Sequence, residues 1–221
     1  MEGMPGPVVY HEPAIARVEA FLFGGQPAFE WAGASPSLAL SEILHACYGC
    51  YYPMIYAAPA LLWLGITGRD RTAELRARDF GETVLALEAC FFVCFFVFVM
   101  FPVQGPRYLG VPAGIPDGPV RRMVLFLLQT GSSRGAAFPS SHVAVIVTQV
   151  AMAIKFQRGV GWASLVIAVG LALGAVYGGF HYAVDAIAGA LLGVAVVPLA
   201  GAFRRRADLA ATGFTSTPGA A

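Results

Sequence analysis

Five runs of apolar residues, at 38–66, 83–101, 140–156, 160–177 and 182–203, constrain this chain more than any other feature. Each is long enough for a helix to cross a hydrocarbon core of about 30 Å. Backbone inside that core must satisfy its own hydrogen bonds, so only helices or a closed barrel can span it. These runs are continuous, without the alternation of a barrel strand, so they read as helices. The expected fold is all-α: a polytopic membrane helical bundle with about five transmembrane helices plus short interfacial helices. Composition agrees, because 57% of residues are hydrophobic and 12% charged, with a mean hydropathy of +0.68. A soluble domain is thereby excluded. A net charge of +1 offers no footing for nucleic acid.

Three segments follow from the runs. Residues 1–36 hold no spanning run and no signal-peptide pattern. Within them, 13–23 reads as an amphipathic surface helix, with Ile15, Val18, Phe21 and Leu22 on one face and Gly24-Gly25 ending it. Residues 37–206 form one membrane-embedded domain, in which Pro53 and Pro59 are expected to kink the first span. Residues 119–130 are too short to cross and read as a second surface or re-entrant helix, with Arg121 and Arg122 near head groups. The small, polar tail, 207–221, is expected to be disordered. Five spans put Arg69, Arg71, Arg76, Arg78, Arg158 and Arg204 to Arg206 on one side of the membrane. That side is cytoplasmic by the positive-inside tendency. Arg107, Arg134, His142 and His181 then meet on the outer side, in a cell inner membrane.

The chemistry-bearing residues lie at the ends of the runs. In Phe138-Pro139-Ser140-Ser141-His142, Pro139 suits the first position of a helix. Ser140 and Ser141 then sit among unpartnered N–H groups at the positive end of the dipole, an anion site. His142 adds a proton donor or acceptor near neutral pH. His181 and Asp185, four apart, share a helical face, so the carboxylate can hold the imidazole in one tautomer. Arg107, after Pro102 and Gly105-Pro106, offers a forked donor set that suits phosphate, and Arg134 can add a fixed positive charge. Glu42 and His45, three apart, read either as a head-group pair or as a cap at the water boundary. Glu88, inside the second run, is expected to make a structural hydrogen bond. Cys47, Cys50, Cys90 and Cys94 read as small core residues.

These stretches together resemble the type-2 phosphatidic acid phosphatase superfamily. Pro139-Ser140-Ser141-His142 is similar to its Pro-Ser-Gly-His motif, and His181-x-x-x-Asp185 to the end of its third motif. Two basic positions of the family are occupied here by Met100 and Ala175. The forms Pro-Arg-Tyr, Phe-Pro-Ser-x-His and His-Tyr-x-x-Asp resemble most the inositol phosphorylceramide synthase branch. The resemblance implies phosphoryl transfer on a membrane lipid phosphate, with His181 as nucleophile and His142 as acid and base. Arg107, Arg134, Ser140 and Ser141 would bind the substrate, and neither metal nor cofactor is called for. Water as acceptor makes a lipid phosphatase; a polyol or lipid hydroxyl makes a phosphotransferase. Met100 and Ala175 keep open a catalytically inactive lipid-binding relative. A membrane b-type cytochrome, with His142 and His181 as haem ligands, is a reading from a different class. The sequence leaves the lipid, the acceptor and the oligomeric state open.

Overall fold

A computed structural model describes residues 8–66, 72–110, 114–131 and 133–214. Two short helices, α1 (Glu12–Phe23) and α2 (Pro27–Ala34), precede the bundle. They are followed by α3 (Leu38–Gly49), α4 (Tyr51–Leu64), α5 (Ala73–Met100), α6 (Pro119–Gly131), α7 (Ser141–Phe156), α8 (Arg158–Tyr177) and α9 (Ala183–Phe214). Three of them, α5, α8 and α9, are long and apolar enough to cross a membrane, and α7 is a shorter apolar helix. The all-α membrane bundle expected from the sequence is therefore the fold observed.

The first expected span is two helices, not one kinked helix. The chain breaks at Cys50, between Gly49 and Tyr51 and three residues before Pro53. Proline has no N–H for the carbonyl four residues back, and its ring crowds that carbonyl. Pro53 therefore sits in the first turn of α4, where the missing donor costs nothing. The break lets the two halves pack differently: α3 lies on α8 and α6, and α4 on α7 and α5.

Helix α7 is the centre of the bundle, packed against α4, α5, α8 and α9. Val143, Ala144, Val145 and Ile146 are all buried. Helix α9 comes close to it because Gly189 has no side chain; a Cβ there would collide with the carbonyl of Ser140. Thr148 Oγ1 adds a bond to the carbonyl of Gly193, 3.2 Å away. This contact fixes how the start of α7 faces the start of α9.

Several other expectations change. Pro139 precedes the cap instead of opening α7; Ser140 is the N-cap, and its Oγ accepts from Val143 N–H at 3.4 Å. A serine oxygen can satisfy an orphan amide, which proline cannot. Helix α9 runs on from Ala207 to Phe214, where a disordered tail was expected. Residues 215–221 and part of the charged loop, 67–71, lie outside the described residues. On α1, Ile15 is buried while Val18, Phe21 and Leu22 are exposed, so the expected single apolar face is divided. Glu42 caps α6, accepting from Val120 N–H at 2.9 Å and Arg121 N–H at 3.0 Å. His45 turns back to the carbonyl of Ser41, 2.6 Å away. Glu88 makes no hydrogen bond among the described residues. It points outward into a groove with Tyr56 and Trp63, because Ala86, Leu87 and Cys90 take the inner face of α5.

Candidate active site

Three loops meet at one end of the bundle. The first follows α5, the second precedes α7, and the third joins α8 to α9. Val103 N–H donates to the carbonyl of Gly135 at 3.1 Å, and Ala137 N–H to that of Val103 at 3.0 Å. Ser140 N–H donates to the carbonyl of Asp185 at 3.0 Å, tying the second loop to the first turn of α9 just beyond the third. Gly105 closes the remaining pair, since a Cβ there would lie 2.6 Å from the carbonyl of Phe180. Backbone contacts of this kind hold the loops in one frame.

Inside the frame lies a cavity of about 680 Å³, lined by Arg107, Arg134, Ser141, His142 and His181 on its polar side. Tyr48, Phe95, Phe98, Val99 and Leu128 supply apolar wall. The His142 and His181 rings are 5.9 Å apart between centroids. His142 is held between Tyr48, 5.2 Å away and nearly parallel, and Tyr51, 4.3 Å away. Those two tyrosines come from either side of the α3–α4 break, so the break itself shapes the histidine's seat.

His181 is set by its backbone. Phe180 N–H and His181 N–H both donate to the carbonyl of Ala175, at 2.9 and 3.0 Å, which turns the chain sharply after α8. The imidazole Nδ1 lies 3.1 Å from the carbonyl of Ala137. A carbonyl can only accept, so Nδ1 carries the proton and Nε2 keeps a free lone pair. Asp185 Oδ2 is 3.7 Å from Nδ1, beyond hydrogen-bond range, and accepts instead from Tyr182 N–H at 2.9 Å. The tautomer expected from Asp185 is thus set by Ala137, while Asp185 supports the turn below the ring. Burial lowers the His181 imidazole to about 4, so the ring is neutral at physiological pH.

The two arginines converge on Tyr108. Arg107 donates to Tyr108 Oη at 2.8 Å and to the carbonyl of Leu128 at 3.2 Å. Its Cζ lies 4.6 Å from the Tyr108 ring centre, and that of Arg134 lies 5.3 Å away. Ser140 is buried and committed to capping, so of the two serines Ser141 lines the cavity.

The profile of the PAP2 superfamily matches residues 13–199 of this chain. The chain belongs to the PAP2 superfamily. Its fold is similar to that of a transmembrane PAP2-type phosphatidylglycerolphosphate phosphatase from Bacillus subtilis, with a TM-score of 0.53 and 16% sequence identity over 89% of each chain. A 58-residue stretch is 36% identical to the bacitracin transport permease protein BcrC of Bacillus licheniformis. That match spans 26% of this chain and 29% of the relative. Membership removes the ground for the b-type cytochrome reading. This PAP2 chain departs from the family motifs at Met100, which is exposed on α5, and at Ala175, which is fully buried under the third loop. Neither position is within the cavity lining.

Tyr48, Tyr51 and the Ala137 carbonyl are not expected from the sequence, which marks Tyr108 only as part of Pro-Arg-Tyr and not as the ring between two arginines. The cluster Tyr48, Tyr51 and Tyr52 inside an apolar run was the available signal. A backbone carbonyl leaves none.

Proposed function

We propose that this PAP2 protein transfers the phosphoryl group of a membrane lipid phosphate through a phosphohistidine, with water or an alcohol as acceptor. One observation carries the reading: two histidines from different helix starts face one cavity that holds two arginines. The Nε2 lone pair of His181 attacks phosphorus as the P–O bond to the lipid alcohol breaks, and the leaving oxygen takes a proton from His142. The neutral His142 then removes a proton from the acceptor as its oxygen displaces His181 from phosphorus. Arg107, Arg134 and the first amides of α7 offset the charge on the equatorial oxygens. Asp185, below the imidazole, favours the positive charge that His181 gains. The loop arginines favour a site on the extracytoplasmic face of an inner membrane.

The apolar wall from Phe95 to Val99 beside the arginines supports an amphiphilic substrate. The motif forms shared with the inositol phosphorylceramide synthase branch bring alcohols into the assay as acceptors. Purified protein should release phosphate from at least one member of a lipid phosphate panel, or pass it to an added polyol. A labelled phosphate should be trapped on the peptide containing His181, stable to base and labile to acid. His181→Ala should abolish both turnover and label. Label on Ser141, or label retained in His181→Ala, refutes the assignment. Tight phosphate binding without turnover would identify an inactive relative instead.

A further inference from the structure

Helix α1 presents opposite chemistries to its two sides. Val18, Phe21 and Leu22 are exposed, while Glu19 is completely buried. Both oxygens of Glu19 are used: Oε1 accepts from Ala183 N–H at 3.1 Å and Oε2 from Val184 N–H at 3.2 Å. Those amides open α9 and have no acceptor within the helix. They lie two and three residues after His181, yet their partner is 164 residues away in sequence for Ala183. Glu12 stands seven residues before Glu19, two turns back on nearly the same face. Its Oε1 accepts from Gln104 N–H at 3.1 Å, on the loop that carries Arg107. Next to it, His11 N–H donates to the carbonyl of Pro102 at 2.9 Å, and the His11 ring stacks on Phe101 at 4.3 Å.

We propose that α1 is a positioning clamp on the active site. Glu19 fixes the first turn of α9, and through it His181 and Asp185. Glu12 fixes the loop of Arg107. The two glutamates act through other residues and touch no substrate. The physical ground is the geometry of two carboxylates on one rigid helix. A single cap leaves a helix end free to rotate about the bond; two points of attachment on α1 hold the two loops at a set separation. Asp185 already caps α9 locally through Tyr182, so Glu19 adds a tether from outside the helix rather than a missing cap. Displacing a nucleophile by about 1 Å can cost roughly 10²-fold in rate. The kinetic part of the proposal rests on the phosphohistidine reading; the clamp itself does not.

The test uses full-length protein in detergent, with Glu19→Gln and Glu12→Gln. Glutamine keeps the size but turns one acceptor into a donor that faces N–H groups. Amide hydrogen exchange should accelerate at Ala183 and Val184 in Glu19→Gln, and at Gln104 in Glu12→Gln, by about 10-fold or more each. Unchanged exchange in both variants overturns the clamp whatever the activity. Per folded molecule, Glu19→Gln should lower kcat about 10- to 10²-fold with little change in KM, and Glu19→Asp should recover part of it. Glu12→Gln should instead raise KM. Faster exchange with wild-type kcat and KM would leave α1 a structural brace and overturn its positioning role. If wild-type protein turns over no lipid phosphate, the proposed function fails separately. The affinity for inorganic phosphate then decides the positioning role: weakening in Glu12→Gln supports it, and equal affinity overturns it.

Discussion

The two ends of this helix bundle handle buried charge in opposite ways. Away from the site, Glu82 is buried and pairs with Lys155 and with Arg204, the latter at 3.0 Å; Arg204 also lies 3.8 Å from Asp79. Arg78 pairs with Asp208 nearby. Charges from α5, α7 and α9 cancel one another there, and the helices are locked together. At the site end, Arg107 and Arg134 have no carboxylate partner among the described residues; their company is Tyr108 and a backbone carbonyl. Four carboxylates of that end, Glu12, Glu19, Glu42 and Asp185, accept from backbone amides, while the exposed Asp117 pairs with Arg121 and Arg122 on the outside of α6. One end is neutralised from within. The other holds positive charge facing a cavity, which suits an anion that arrives from outside.

The sharpest way to break this contrast is at His142, the group proposed to transfer the proton. His142→Ala should slow turnover roughly 10³-fold, within the range for losing a general acid and base. Quench-flow labelling should then show phosphoenzyme accumulating if its breakdown suffers more than its formation. Normal turnover would make the Tyr48 and Tyr51 seat a packing feature.

Arg107→Lys keeps a positive charge and loses the fork. Turnover should fall by about 10²-fold, as when an oxyanion donor is removed. Arg134→Ala, assayed in parallel, tells whether the load is shared. Near-wild-type rates in both would show that the unpaired cations do not serve an anion.

At the opposite end the expected loss is in stability. Glu82→Gln leaves Lys155 and Arg204 without their buried carboxylate, but both remain partly solvated. Thermal or denaturant unfolding in detergent should show a loss of about 1–3 kcal/mol, with kcat near wild type. A large fall in kcat with unchanged stability would mean that the two ends are coupled.

The smallest effect concerns pH. His181 is lowered from 6.5 to about 4, by burial first and by the nearby Arg107, against the opposing bond to Ala137. Between these values the unfolded chain binds a proton that the folded chain does not. Stability should therefore fall as pH drops from about 6.5 to about 4, and this slope should flatten in His181→Ala. An identical slope in that variant would show that His181 is not the group being titrated.

What the sequence determined by itself was the class of fold; it also singled out His142, His181 and Arg107, which the structure gathers around one cavity. Apolar runs of spanning length leave the backbone little choice but helix, and His142, His181, Asp185 and Arg107 stand at the ends of such runs. Local punctuation was partly legible too: Gly24 ends α1 in a left-handed conformation, and Ser140 caps α7. The break at Cys50 is indistinguishable from a kink in the sequence, because proline spacing alone does not say whether the halves find separate partners. Only the tertiary structure decided that His181 takes its tautomer from the Ala137 carbonyl, that Tyr48 and Tyr51 hold His142, and that Glu19 reaches α9. Each of these depends on a contact between residues far apart in the chain. Hydropathy and local spacing report which side of a helix is apolar, but not which backbone group a neighbouring loop will bring against it.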